Sequence, residues 1–174
     1  MKLKILFFLF FCFQSFTLYG TAIRVIDLQY IIDNNTAILN LIKEIDNDQK
    51  SHRKNFKENE IALNLELERI EELKLILSNT ELEKEINKYN DQLNQFNAKI
   101  ERFNFHYENQ VNILKNILLE KTLKILKKYS LDNKIDLILG SNDYILSNDS
   151  LNITNVILEK LNNININIKF EKFK

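Results

Sequence analysis

The sequence predicts an α+β fold, mainly α: a long antiparallel coiled-coil helical hairpin projecting from a small β-body that both chain ends build. Two long heptad-patterned segments are separated only by Leu77-Ser78-Asn79-Thr80, and short strand-like pieces flank them. The 174 residues include no proline and only two glycines, Gly20 and Gly140, so nothing inside the helical segments breaks them.

Residues 1–20 read as a secretory signal peptide. Lys2 and Lys4 precede the apolar run 5–13, and the small residues Ser15, Thr17 and Gly20 follow it. The run is shorter than the roughly 20 apolar residues that a membrane-spanning helix needs. Phe11, just before Cys12, is bulky where a lipoprotein signal requires a small residue. Cleavage after Gly20 removes Cys12, the only cysteine, and with it any disulfide or thiol chemistry. Losing Lys2 and Lys4 takes the 24 basic residues to 22 against 24 acidic ones. So balanced a chain has no positive field to attract nucleic acid.

Residues 21–35 supply the N-terminal part of the body. The segment 23–28 alternates as a strand, with Ile23 and Val25 facing the core, and a short helix follows over 29–33. Residues 36–129 are the hairpin. In the first arm the heptad series read Ile42, Gln49, Phe56, Leu63, Ile70, Leu77 and Ile45, His52, Asn59, Glu66, Leu73. In the second they read Leu82, Tyr89, Phe96, Phe103, Gln110, Ile117 and Ile86, Leu93, Ile100, Tyr107, Leu114, Lys121. Alternating steps of three and four keep these side chains on one stripe of an under-wound helix. The first arm's stripe is interrupted by polar residues. At about 1.5 Å per residue each arm reaches on the order of 60 to 75 Å. Thr80 followed by Glu83 fits a capping box, so Ser78, Asn79 and Thr80 are expected to make the turn.

Residues 130–162 supply the rest of the body. A second strand is expected over 135–139, with Ile135, Leu137 and Leu139 in the core of the body or of the oligomer. Turn residues 140–143 and a third strand over 144–146 follow, adding Tyr144 and Leu146. Asn152 caps an expected helix over 153–161 with Ile153, Val156, Ile157 and Leu161 on one side. An antiparallel hairpin returns the chain to where it left, so these strands meet the first one at its base. A three-stranded sheet leaves open edges, and closing several copies into a shared barrel buries them. In the tail 163–174, Ile164, Ile166, Ile168 and Phe170 alternate strictly and predict one more strand on the body's edge.

Chemistry-bearing patterns are scarce. His52 and His106 have no further ligands grouped with them, and Glu71-Glu72 belongs to a solvated helix face. Neither a phosphate-cradling glycine loop nor a nucleophile motif is present, so no enzyme, cofactor or metal site is expected. Apolar residues off the heptad stripe remain: Ile61, Leu65, Leu75 and Ile76 on the first arm and Phe105 on the second. They either contact a bound polypeptide or widen the packing face of the hairpin. Three classes of function fit: holding unfolded chains, scaffolding the cell envelope without such affinity, or surface adhesion if residues 1–20 stay attached.

The order of elements narrows the choice. Val25-Ile26-Asp27-Leu28-Gln29-Tyr30-Ile31-Ile32 leads into a charged coiled coil, then comes the Ile-Asp-Leu-Ile-Leu strand within 129–139, then Tyr144, then Asn152-Ile153-Thr154-Asn155-Val156-Ile157 and onward to Leu161. This arrangement resembles the Skp/OmpH family of periplasmic chaperones. The resemblance implies a periplasmic homotrimer whose strands form a central barrel and whose hairpins enclose unfolded outer-membrane proteins without ATP. The family's well-known members are strongly basic, whereas here nine acidic residues between Glu60 and Asp91 face only Arg69, Lys74, Lys84 and Lys88. Such a tip argues against contact with anionic membrane or lipopolysaccharide.

Overall fold

The computed structural model describes residues 20–166 and 169–174. The signal peptide with Cys12, and Ile168 of the tail, lie outside these residues. Strand β1 (Ile23–Ile26) pairs in parallel with β2 (Leu137–Gly140), Ile23 lying opposite Leu137 and Ile26 opposite Gly140. Between them run α1 (Leu28–Asp33), α2 (Thr36–Leu73) and α3 (Asn79–Asp132). A single 3-10 turn (Asp149–Leu151) and α4 (Thr154–Asn162) follow β2.

Local signals explain where these elements start. The Asp27 carboxylate accepts from the Tyr30 amide at the head of α1, and the Asn35 side chain accepts from Ala37 at the head of α2. Polar cross-links then close the body. The Asp27 amide donates to Thr154 Oγ1 at 2.9 Å, and the Ile153 amide donates to the Val25 carbonyl at 3.0 Å. Asn35 is buried, and its Nδ2 donates to Asn162 Oδ1 at 2.7 Å, which also accepts from the Thr36 amide at 3.0 Å. Around them Ile31, Ile38, Leu114, Leu118, Ile157 and Leu161 are fully enclosed.

Several expectations are corrected. The sheet has two strands among the described residues: 144–146 are irregular, with Ile145 and Leu146 pointing into solvent. A turn closes after β2, where the Asp143 amide donates to the Gly140 carbonyl at 2.9 Å, but the chain beyond it makes no ladder with β2. Within β2 the inward residue is Ile138, which packs on the core, while Leu137 is exposed. An uninterrupted apolar run carries no alternation from which to read its phase. Val25 is buried, but Ile23, Ile135, Leu139 and Tyr144 are only half-buried in the single chain. Ile153, just before α4, and Ile157 and Leu161 on it point inward, and Val156 does not. The tail forms no strand in its described residues.

The tip also differs. Helix α2 ends at Leu73, Lys74 to Leu77 make the turn, and Ser78 is the N-cap of α3 in a capping box with Glu81. Asn79 and Thr80 therefore lie in the first turn of α3. Both Ser78/Glu81 and Thr80/Glu83 match the capping-box pattern, and the earlier one satisfies the amides that α3 exposes.

Along the arms the shielded positions of α3 follow the expected stripe from Leu82 through Phe103 and Tyr107 to Leu114. Beyond Leu114 the step becomes four, and Leu118, Thr122 and Leu126 are buried in place of Ile117 and Lys121. This change of phase turns the stripe from the partner helix toward the body. The same happens at the base of α2, where Ile38, Leu41 and Ile45 are buried and Ile42 is exposed. Thr122 is tolerated in the core because its hydroxyl donates to the Leu118 carbonyl at 2.7 Å.

Helix α3 closes in a Schellman motif: the Ile135 amide reaches the Ser130 carbonyl at 2.9 Å, and Lys134 sits left-handed at φ 51. Lysine bears a Cβ penalty there that glycine does not. Lys134→Gly is expected to raise the stability by about 1 kcal/mol, read as the urea midpoint at fixed protein concentration. The phase change is checked the same way. Leu118→Ala should cost about 3 kcal/mol, whereas Lys124→Ala, on the exposed side, should cost under about 0.5 kcal/mol.

Candidate functional site

The apolar residues singled out on the arms do not form one patch. Ile61 and Leu65 sit four apart on α2, and both are exposed. Leu75 and Ile76 lie in the tip turn and are the barest of the set, at 91% and 79% exposure. Phe105 is exposed on α3 and lines an open cleft of about 470 Å³ with Ile113 and Phe173. None of the five packs into the seam between the arms.

Nearer the tip, a wider cleft of about 940 Å³ opens between the arms, with Leu63 and Phe96 on its floor and Glu66, Lys88, Lys99 and Arg102 around it. Arg69 bridges Glu66 on its own helix and Glu85 on the other. This surface pair is a positional tie more than a source of stability. With Glu66 paired to Arg69, the remaining charged groups of the lining, Lys88, Lys99 and Arg102, are all basic. The cleft is therefore basic around an apolar bottom.

A third feature went unread in the sequence. The described end of the tail lies along the arms. Phe170 stacks on Tyr107, with ring centroids 6.5 Å apart and planes within 13°. Phe173 stands edge-on to Phe103, His52 and His106 at 5.2, 5.4 and 5.7 Å. Such edge-to-face pairs suit the ring quadrupole. Between the two rings, the Glu171 amide donates to Gln110 Oε1 and the Glu171 carbonyl accepts from Gln110 Nε2, both at 2.9 Å. His106 Nε2 lies 2.8 Å from the same carbonyl.

Asp48 anchors the far end. Its carboxylate accepts from the Tyr107 hydroxyl at 2.7 Å and from the Phe173 amide at 3.2 Å. Burial pushes the Asp48 carboxyl up, but the Tyr107 hydroxyl, the Phe173 amide, and the charges of His52 and Lys172 outweigh it and leave it lowered. Burial pushes the Tyr107 phenol up, and the adjoining Asp48 carboxylate adds to this against the Phe173 amide. The polar positions His52 and Gln110, which break the heptad stripe, thus have partners. The spacing of Phe170 and Phe173 was the available signal, but strict alternation upstream masked it.

Among the described residues no group of three or more His, Cys, Asp and Glu is placed to hold a metal ion, and no helix is long and apolar enough to cross a membrane. The arrangement offers surfaces for holding a polypeptide.

A family model described as outer membrane protein (OmpH-like) matches residues 22–161. No curated protein matches. Among solved structures, a candidate outer membrane chaperone (OmpH-like) from Caulobacter crescentus CB15 superposes with a TM-score of 0.67 at 11% identity, covering 89% of this chain and 92% of that one. At that identity the likeness is one of fold. The tail that carries Phe170 and Phe173 lies beyond the matched family residues.

The Tyr107 phenol has a testable titration. A folded-state pKa above the ordinary tyrosine value of 10.0 means its contribution to stability is full below that pH and is lost as pH rises past it. Asp48, lowered, contributes above the usual carboxylate range and loses its contribution in acid. In an alkaline absorbance titration, Tyr107→Phe should remove the phenol that ionises last. Loss of an early-ionising phenol instead would refute the buried pairing with Asp48.

Proposed function

We propose that this chain, which belongs to the OmpH-like outer membrane protein family, is a chaperone that holds unfolded outer-membrane proteins in the periplasm without ATP. The observation that carries this reading is the hairpin itself: two helices of 38 and 54 residues leave a small body and end in a turn whose Leu75 and Ile76 are bare. An unfolded barrel protein presents apolar strands that aggregate, and scattered apolar contacts on several arms retain it without a rigid pocket. Single contacts of this kind are weak, so release needs no nucleotide.

Enclosure requires more than one hairpin, and the body supports assembly. Asn152 and Ile153 bridge the far side of β1, but the outer edge of β2 is open, and Ile145 and Leu146 project from the loop beside it. An open hollow next to them is lined by Ile26, Leu123, Leu126, Ile135 and Leu137. Closing three copies so that these groups cover one another gives a homotrimer with a shared barrel and three arms around a cavity. The acidic tip directs the reading toward apolar capture and away from anionic lipid.

The test is aggregation of a denatured outer-membrane barrel protein on dilution, followed by light scattering, with the protein of residues 21–174 at one trimer per client. Suppression is expected, together with a solution mass of three chains. Paired substitution Leu75→Asn and Ile76→Asn should weaken client binding on the order of tenfold: full burial of each large apolar side chain is worth about 1.5 to 3 kcal/mol, and partial burial of the pair against an unfolded client supplies about 1.4 kcal/mol. Unchanged scattering at stoichiometric protein, with crosslinking to one folded partner, would replace this reading with that of an envelope scaffold.

A further inference from the structure

We infer that the face of the hairpin around Phe103 is a groove for an extended polypeptide segment with aromatic side chains three residues apart, and that the chain's own tail is its resident occupant and competitor. The inference rests on the holding function proposed above for the identity of the incoming segment, while the groove stands on its geometry.

The manner of contact is what identifies a groove. Gln110 offers its amide donor and acceptor to both backbone groups of Glu171, as the edge of a neighbouring strand would, and Asp48 takes the Phe173 amide. These bonds read backbone, so they are open to any extended segment. Selectivity comes from the rings: Tyr107 faces Phe170, and Phe103 with His52 and His106 receives Phe173. The two residues between them, Glu171 and Lys172, are exposed. Beside the tail, the cleft with Phe105 and Ile113 leaves apolar room for a bulkier occupant.

The resident segment is held in a way that lets it leave. Its described end forms neither helix nor strand, and its bonds through Gln110 and His106 are exposed to solvent. The residues matched to the family end at 161, so the tail lies beyond that match. Tethered this closely, it acts at an effective concentration of about millimolar, so even a weak segment keeps the groove mostly filled. A client must displace it, and its apparent affinity is reduced by the fraction of time the groove is open.

The chain has no tryptophan, so Phe173→Trp places a single reporter in the groove of the full-length protein. Its emission should be blue-shifted, and excess synthetic peptide of residues 164–174 should move it to the solvent-exposed value. An unfolded outer-membrane client should do the same, and Phe170→Ala with Phe173→Ala should tighten client binding on the order of tenfold. Phe170→Trp, which keeps Phe173, repeats the readout if the larger ring disturbs the cluster. Exposed emission from both reporters at the outset, or no response to the peptide, overturns the groove. Client binding that leaves the emission unmoved, or that weakens in the double variant, overturns the competition while leaving the holding function intact. If no client binds but the peptide displaces the tail, the groove stands and the holding function falls.

Discussion

Parallel strands cannot be joined by a tight turn, so the pairing of β1 with β2 requires the intervening chain to leave the body and come back. Here that excursion is the whole hairpin, 36–132 in sequence. The four strand pairs bury little, and they hold because the returning helix brings its own apolar side chains. Leu114, Leu118 and Leu126 of α3 meet Ile31 of α1 and Ile157 and Leu161 of α4. Asn35 and Asn162 then lock the entry to the first arm against the end of the last helix. The arms can be long only because both their roots are fixed in one core.

Much of this was legible in the sequence. Periodicity over many turns is a strong signal, and it placed Phe96, Phe103, Tyr107 and Leu114 on the seam correctly. The strand at Ile23 and the burial of Ile153, Ile157 and Leu161 were equally plain from pattern. What pattern did not show depended on contacts distant in sequence. The shift from Leu114 to Leu118 and Thr122 arises because the helix stops facing one partner and starts facing three elements. The irregular path at 144–146 depends on which edge is available, and strand propensity is silent on that. At the tip two capping boxes were possible, and the choice lay with where the turn closes.

The exposed apolar residues of the arms were legible as candidates, whereas the groove was not. His52 and Gln110 counted as breaks in the stripe, yet they face Phe173 and Glu171. A polar residue at a seam position reads the same whether it is solvated or has a partner far along the chain. Asp48 was invisible for the same reason: nothing nearby in sequence distinguishes it from the other charged residues of α2.

Burial is graded along the arms. The base is dry, with Leu118 fully enclosed, whereas between Ile45 and Ile70 no residue of α2 is buried and from Asn79 to Arg102 none of α3 is, so that Ile70 is the one enclosed side chain near the tip. The pair of arms is therefore a lever clamped at its root and compliant at mid-arm. From the region of His52 to the tip is about 25 residues, or about 37 Å of helix. A bend of about 10° there sweeps the tip sideways by about 6 Å over such a length. The volume between several such levers would thus be set mostly by small angles at mid-arm, where the tail also lies, and hardly at all by the body.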